Sequence, residues 1–300
     1  MSLYVKFWGV RGSIPTPGWA TQRYGGNTAC VEVRTDDTRF ICDGGTGIRE
    51  LGAAMMRDKQ DGVPCRAHIL FSHAHWDHIQ GFPFFSPAYL PDSELTVYGT
   101  EPGDDRMYRL LSGQMESLDY FPVQFSDLGS HTRSADLGGS AKVIDGVTVS
   151  FLPVCHPGGS LSYRFEAGGR RVVYSTDNEL DLVLENADEA RDDPTVPRVC
   201  PESLVEFVRG ADLLVADGQY TDAEYRQRIN WGHSRATTLV DLAAQAGVKR
   251  VAVFHHDPMQ ADADVKRKID ACKARAARLG VSVDIFGARE GIEIKLPYDT

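Results

Sequence analysis

The apolar run AHILFSH passes without a break into AHWDHIQGF, and the junction carries three histidines and one aspartate within six positions, His73 to His78. The run has the length and composition of one strand. His73 and His75, two apart on extended backbone, face the same side. Asp77 and His78 then fall in the first turn of a helix, where the helix dipole favours a carboxylate. All four side chains converge on one small volume, so the fold has to put a strand end and a helix start there. A chain with nine histidines produces such a string by chance on the order of once in a few thousand sequences.

The rest of the chain supplies partners at equivalent positions. VCHPGGSL places His156 just after a strand, VVYSTDNE places Asp177 after another, and VAVFHHDP places His255 and His256 after a third. Each lies where a strand gives way to turn residues, the position from which loops on a rigid scaffold carry function. His255 and His256 have opposite strand parity, so the two face opposite sides.

Strand-like segments (LYVKFWG, ACVEVR, RFICDGG, ELTVYG, VTVSFLPV, LSYRFE, RVVYSTD) fill the first half, and Gly168-Gly169 marks a hairpin. GIRELGAAMMRD reads as an early helix with Leu51 and Met55 on one face. The second half alternates DLLVADG, VKRVAVFHH and VSVDIFG with the helical SRATTLVDLAAQAG and ADADVKRKIDACKARAARLG, the latter stopped by Gly280. Helices flanking strands on both sides predict a layered α/β sandwich. Residues 81–140, rich in aromatics and prolines, read either as a pocket wall or lid or as a surface insertion with its own small cluster. The acidic NADEARDDPTVPRVCP, residues 186–201, reads as a solvated connection.

A formal net charge of −10 gives no basic footprint for a long polyanion. The six cysteines are scattered without a C-x-x-C pair, which favours free buried thiols over a disulfide framework or a thiolate metal site. No segment reaches the roughly 18 consecutive apolar residues of a membrane helix, and the start MSLYVKFWGVRGS has no signal-peptide core. A cytoplasmic protein with no membrane partner is expected.

HAHWDH, a later lone His, a later Asp and a final His resemble the ordered motifs of the metallo-β-lactamase superfamily, and Asp43 in ICDGGTG resembles its first motif. The resemblance covers nearly the whole chain and is specific for fold and metal centre, not for substrate. It implies one domain over residues 1–300, an αββα four-layer sandwich with an insertion around 81–140, and a dinuclear centre. His73, His75 and His156 would hold one divalent ion, and Asp77, His78 and His255 the other, with Asp177 between them. The all-His/Asp donor set favours Zn2+, with Mn2+ as the other candidate.

LLVADGQY and NWGHSRATT resemble motifs of the ribonuclease Z and cyclic phosphodiesterase branch. There an acidic residue orients a histidine that assists the leaving group; here these would be Asp217 and His233. Asp77, His233 and Asp217 are thus the implied catalytic residues, and Arg11, Ser13 and Asn27 are candidate contacts to phosphate or to the ligand residues. Two cations about 3.5 to 4 Å apart hold a bridging hydroxide and clamp both oxygens of an in-line displacement, which suits a phosphodiester. Ribonuclease Z carries a basic arm between the His156-type and Asp177-type motifs, and this chain has a short hairpin instead. The expectation is therefore a small cyclic phosphodiester (a cyclic nucleotide or cyclic sugar phosphate) as substrate, in preference to transfer RNA, with a homodimer as a candidate assembly. A lactone, thioester or β-lactam hydrolase with the same centre is the competing enzyme reading, and a metal-binding sensor without turnover is the non-enzymatic one.

Overall fold

The computed structural model of the chain describes residues 2–59, 63–99, 105–139 and 141–298. One sheet holds β1 (Leu3–Gly9), β2 (Cys30–Arg34), β3 (Arg39–Cys42), β4 (Arg66–Leu70), β5 (Glu94–Gly99), β6 (His131–Asp136) and, from the far end of the chain, β14 (Glu293–Leu296). Its order is β14-β1-β2-β3-β4-β5-β6. The second holds β7 (Ala141–Ile144), β8 (Val147–Val154), β9 (Ser160–Ala167), β10 (Arg170–Ser175), β11 (Leu213–Asp217), β12 (Arg250–Phe254) and β13 (Asp284–Gly287) in the order β13-β12-β11-β10-β9-β8-β7. The helices are α1 (Ile48–Asp58), α2 (Trp76–Ile79), α3 (Arg106–Gly113), α4 (Ala187–Asp192), α5 (Glu202–Val208), α6 (Asp222–Tyr225), α7 (Thr238–Ala246) and α8 (Asp262–Leu279).

Strand alternation divides the apolar side chains among three cores. Val5, Phe7, Val31, Val33, Phe40 and Cys42 of the first sheet meet Val172, Tyr174, Leu213, Val215, Ala252 and Phe254 of the second. Their neighbours point outward: Ile41 and Ile69 pack with Leu51 and Met55 of α1, and Val173, Leu214, Val251 and Val253 pack with α5, α7 and α8. Strands apolar on both faces need cover on both, and the result is the expected αββα sandwich. Each fully buried side chain of this size contributes about 1.5–3 kcal/mol.

Residues 81–140 belong to this plan. Their strands β5 and β6 pair in parallel beside β4, and Phe82, Phe85, Ala88 and Leu111 lie in the outer core with α1. The stretch also supplies wall: Tyr98, Gly99, Arg106 and Met107 line a cleft of about 350 Å³ together with His73 and His75. Residues 186–201, expected to be solvated, are mostly exposed or half-buried and are anchored at a few positions. Arg198 is buried and donates to Thr237 Oγ1 at 2.8 Å. Arg275 of α8, also buried, donates to the carbonyls of Pro194 and Thr195 and to Asp241 Oδ1. A charge-rich segment looks solvated in sequence because its counter-charge, Asp241, lies more than forty positions away. The cysteines are free and buried except the half-buried Cys155. Among the described residues no helix is long and apolar enough to cross a membrane.

Candidate metal centre

β3 and β4 run parallel, as do β10, β11 and β12, and two antiparallel steps make β8 run the same way as β10. The residues following these strands therefore emerge at strand C-terminal ends, the usual position of ligand-binding loops in such sheets. Asp43 follows β3, His73 to His78 follow β4, His156 follows β8, Asp177 follows β10, Asp217 closes β11 and His255 follows β12. The two sheets meet at this edge through Tyr174, whose hydroxyl donates to Asp43 Oδ2 at 2.6 Å. Asp43, Asp177 and His255 all have left-handed backbone, φ 63°, 45° and 58°. Such a conformation costs about 1–3 kcal/mol per residue and persists where the surroundings over-determine it, often at functional sites.

The two carboxylate oxygens of Asp177 divide the histidines between them. Oδ2 lies 3.5 Å from His73 Nε2 and 3.6 Å from His156 Nε2, and the latter is 3.1 Å from His75 Nδ1. Oδ1 lies 3.2 Å from His78 Nε2 and 3.1 Å from His255 Nε2. Asp77 Oδ2 sits 3.2 Å and 3.1 Å from the same two nitrogens. Every residue expected as a ligand is thus in one of two adjoining groups, His73, His75, His156 and Asp177, or Asp77, His78 and His255, each with ligand atoms within 4.8 Å of one another.

The outer ring nitrogens show what these groups are suited to hold. His78 Nδ1 faces Asp43 Oδ2 at 2.8 Å, His255 Nδ1 faces Gln219 Oε1 at 2.8 Å, and His156 Nδ1 faces the Gly232 carbonyl at 2.9 Å. With the proton on Nδ1, each neutral ring turns the lone pair of Nε2 inward. For His78 and His255 that lone pair would confront two carboxylate oxygens, so a cation has to lie between, a second proton in the absence of metal or a divalent ion in its presence. Nε2 of His73 and of His78 are buried without a hydrogen-bond partner. The donor set and these orphaned atoms fit divalent metal, and outer acceptors of this kind are the usual means of fixing a ligating histidine. Burial pushes the His73 imidazole down to about 2. Burial acts the same way on His78, but the carboxylates of Asp177, Asp77 and Asp43 outweigh it and raise that group. Adding a divalent cation is expected to raise the melting temperature, by about 4 kcal/mol of stability at a thousand-fold excess over Kd. An unchanged scanning-calorimetry midpoint on titration after chelator treatment would contradict this.

His233 stands beside this volume, its ring 4.9 Å from that of His255 and 5.5 Å from that of His156. Its Nδ1 is 2.7 Å from Asp217 Oδ2. Burial alone would lower its pKa; the Asp217 carboxylate overrides this and holds the group up at about 9.

Several residues with a part in this arrangement were not singled out from sequence. Gln219, besides meeting His255, donates its backbone N–H to Asp217 Oδ1 at 2.9 Å. The buried Glu179 accepts from the backbone N–H groups of Asn230 and Gly232, at 2.7 and 2.6 Å, and so pins the loop before His233. Gly232 has φ 89°, and a Cβ there would fall 2.3 Å from His156 Nδ1. The signals available were faint: Glu179 lies two positions past Asp177, and Gln219 two past Asp217. Of the N-terminal candidates, Ser13 does reach the site, donating its backbone N–H to Asp77 Oδ2 at 2.7 Å. Arg11 does not; it is fully buried, its Nε donating to Gly25 O and its Nη1 to Gln260 O. Asn27 binds the Glu290 carboxylate. His256 turns away as its parity predicts, bonding Ala288 O at 2.9 Å.

Fold and site together define a layered αββα protein with a candidate metal centre, and comparison with known proteins assigns its family. The chain belongs to the beta-lactamase superfamily, whose domain matches residues 38–256. It is 25% identical to the Ribonuclease Z of Halobacterium salinarum over 99% of both chains, and 25% identical to that of Methanosarcina acetivorans over the same shares. These relatives put it with the ribonuclease Z-like branch, and membership makes it a metal-dependent hydrolase. Its fold is shared with a metallo-beta-lactamase fold protein from Bacillus subtilis (TM-score 0.67, 18% identity, 98% of this chain and 99% of the other). It is also shared with a diphosphatase of the PhnP family (0.65, 17%, 99% and 98%) and with human tRNase Z, short form (0.63, 15%, 98% and 99%). One expectation is corrected by these relatives. Transfer RNA was set aside, and the substrate confined to small phosphodiesters, on whole-chain charge and a short hairpin; yet relatives matching from end to end are named Ribonuclease Z. Whole-chain charge is a poor guide because it averages over the surface and says nothing of where the basic residues lie, such as exposed Arg226 and half-buried Arg228 on the segment leading to His233.

Proposed function

We propose that the chain is a phosphodiesterase whose centre holds two divalent cations, His73, His75 and His156 around one, Asp77, His78 and His255 around the other, and Asp177 between them. Zinc suits the histidine and aspartate donors best, and manganese is the second choice. The observation that carries the reading is the 2.7 Å contact between His233 and Asp217 beside the ligand groups. A separately oriented acid matters most where the departing group is an alkoxide, as in phosphodiesters of sugars.

Bound cations supply Lewis-acid polarisation of the phosphoryl oxygens and a water of lowered pKa. The chain's own residues do the rest. Asp217 holds Nδ1–H of His233 and stabilises its charged form, leaving Nε2–H to protonate the departing oxygen. Glu179, through the amides of Asn230 and Gly232, keeps that histidine's loop in place. Ser13, through its amide, fixes the rotamer of Asp77. Cyclic nucleotide diesters and RNA both fall within the proposed range, the latter following the names of the full-length relatives.

The test is a panel run on metal-loaded protein: bis(p-nitrophenyl) phosphate, cyclic nucleotides, a precursor transfer RNA, a lactone, a thioester and a β-lactam. Turnover of the diesters is the expected result. Hydrolysis confined to the carbonyl substrates would overturn the reading, and tight metal binding with no turnover at all would replace it with that of a binding protein.

A further inference from the structure

Of the chain's four tryptophans, Trp76 is 81% exposed and Trp231 is 61% exposed. Trp19 is barer still, at 90%, so exposure alone does not single these two out; large aromatic side chains contribute most when covered, and Trp76 and Trp231 differ from Trp19 in being chain neighbours of residues at the centre. Both stand on backbone next to residues fixed by the site. Trp76 lies between His75 and Asp77 at the start of α2, both neighbours being turned into the centre. Trp231 lies between Asn230 and Gly232, whose amides are gripped by buried Glu179. The contacts His75–His156 at 3.1 Å and His156–Gly232 at 2.9 Å link the two segments across the mouth. Arg228 sits over the indole of Trp231 at 5.9 Å and over Tyr220 at 5.0 Å. One face of the Trp231 ring is thereby backed by a cation, and its exposure lies on the remainder.

The geometry points to Trp76 and Trp231 as stacking platforms for a nucleobase next to the scissile phosphodiester, with Arg228 backing the Trp231 ring and adding positive charge at the mouth. This rests on the phosphodiesterase reading and deepens it: the substrate class is a diester carrying a nucleoside. A flat π-face beside a cation accepts any base and rewards its presence over an alkyl group. Presentation on backbone next to fixed residues lowers the entropy cost of ordering a loop on binding.

The test compares thymidine 5′-p-nitrophenyl phosphate with methyl p-nitrophenyl phosphate, which share leaving group and reacting centre and differ in the nucleoside. Wild type is expected to favour the thymidine ester. Trp231→Ala and Trp76→Ala should each cut the ratio of the two kcat/KM values by about 10- to 100-fold, mainly through KM. Trp231→Phe and Trp76→Phe should restore most of it. A short single-stranded RNA run beside them locates the base: a loss on both supports a stack with the nucleotide at the scissile bond, and a loss on RNA alone supports one with a base further along. A ratio unmoved on every substrate overturns the inference. So does a change of sedimentation on either alanine substitution with the ratio intact, which would make the rim a contact between copies of the chain. If wild type hydrolyses neither ester, the phosphodiesterase reading itself fails, and that result is distinct from an unmoved ratio.

Discussion

His233→Ala is expected to lower kcat on a nucleotide diester by about 10²- to 10⁴-fold, and to do far less to p-nitrophenyl diesters. The difference follows from the leaving group. A sugar alkoxide departs only as it is protonated, whereas p-nitrophenolate leaves unaided, so removing the acid is felt by one and not the other. Lactone or thioester hydrolysis, if the protein has any, should likewise be little changed. Asp217→Asn should act in the same direction by a smaller factor, since it leaves the imidazole in place but withdraws the charge that holds it up at about 9. Exogenous imidazole should recover part of the activity of the alanine variant and none of that of a misfolded one. Equal losses on both kinds of leaving group would mean that His233 supports the centre without serving as its acid.

The residues gathered around Asp177 were legible in the sequence for a physical reason, whereas His233, in a loop with no strand before it, came only from a resemblance of motifs. Ligands gathered at strand C-terminal ends leave a local signature: a β-branched run, then His or Asp, then a turn. AHILFSH, VVYSTD and VAVFHH each carry it, and the three cores confirm that such runs are strands. Contacts made through tertiary structure leave no such trace. Glu179 meets amides fifty-one and fifty-three positions away, and the side chain of Gln219 meets a histidine thirty-six away. The burial of Arg198 was missed on the same account, because composition reports the chemistry of a segment and not what covers it. Arg11 shows the converse: a basic residue in a glycine-rich loop suggested phosphate, and the fold uses it to tie together backbone carbonyls of three distant residues.

Asp43 is the position where fold and site are hardest to separate, and its replacement should have the largest combined effect. It is fully buried and accepts four hydrogen bonds, from Ser72 N at 2.7 Å, Ser72 Oγ at 2.8 Å, Tyr174 Oη at 2.6 Å and His78 Nδ1 at 2.8 Å. Asp43→Asn keeps the shape but turns one acceptor into a donor facing donors, at about 1–3 kcal/mol for each one left unsatisfied. If the amide nitrogen faces His78, that ring takes its proton on Nε2, and the lone pair turned toward Asp77 and Asp177 is lost. Zinc affinity on that side of the centre should then fall about 10- to 100-fold, with a smaller fall in the His73, His75 and His156 group, which Asp43 reaches only through Ser72 Oγ, 3.0 Å from His73 Nδ1. Calorimetric titration of the chelated protein should therefore show two classes of site in wild type and, in the variant, one class weakened more than the other, with a lowered melting temperature even before metal is added. Were both affinities to fall equally, the damage would lie in the joint between the sheets that Tyr174 makes with Asp43. Were neither to move, His78 would not depend on Asp43 for its tautomer, and the assignment of its Nε2 to the cation would have to be withdrawn.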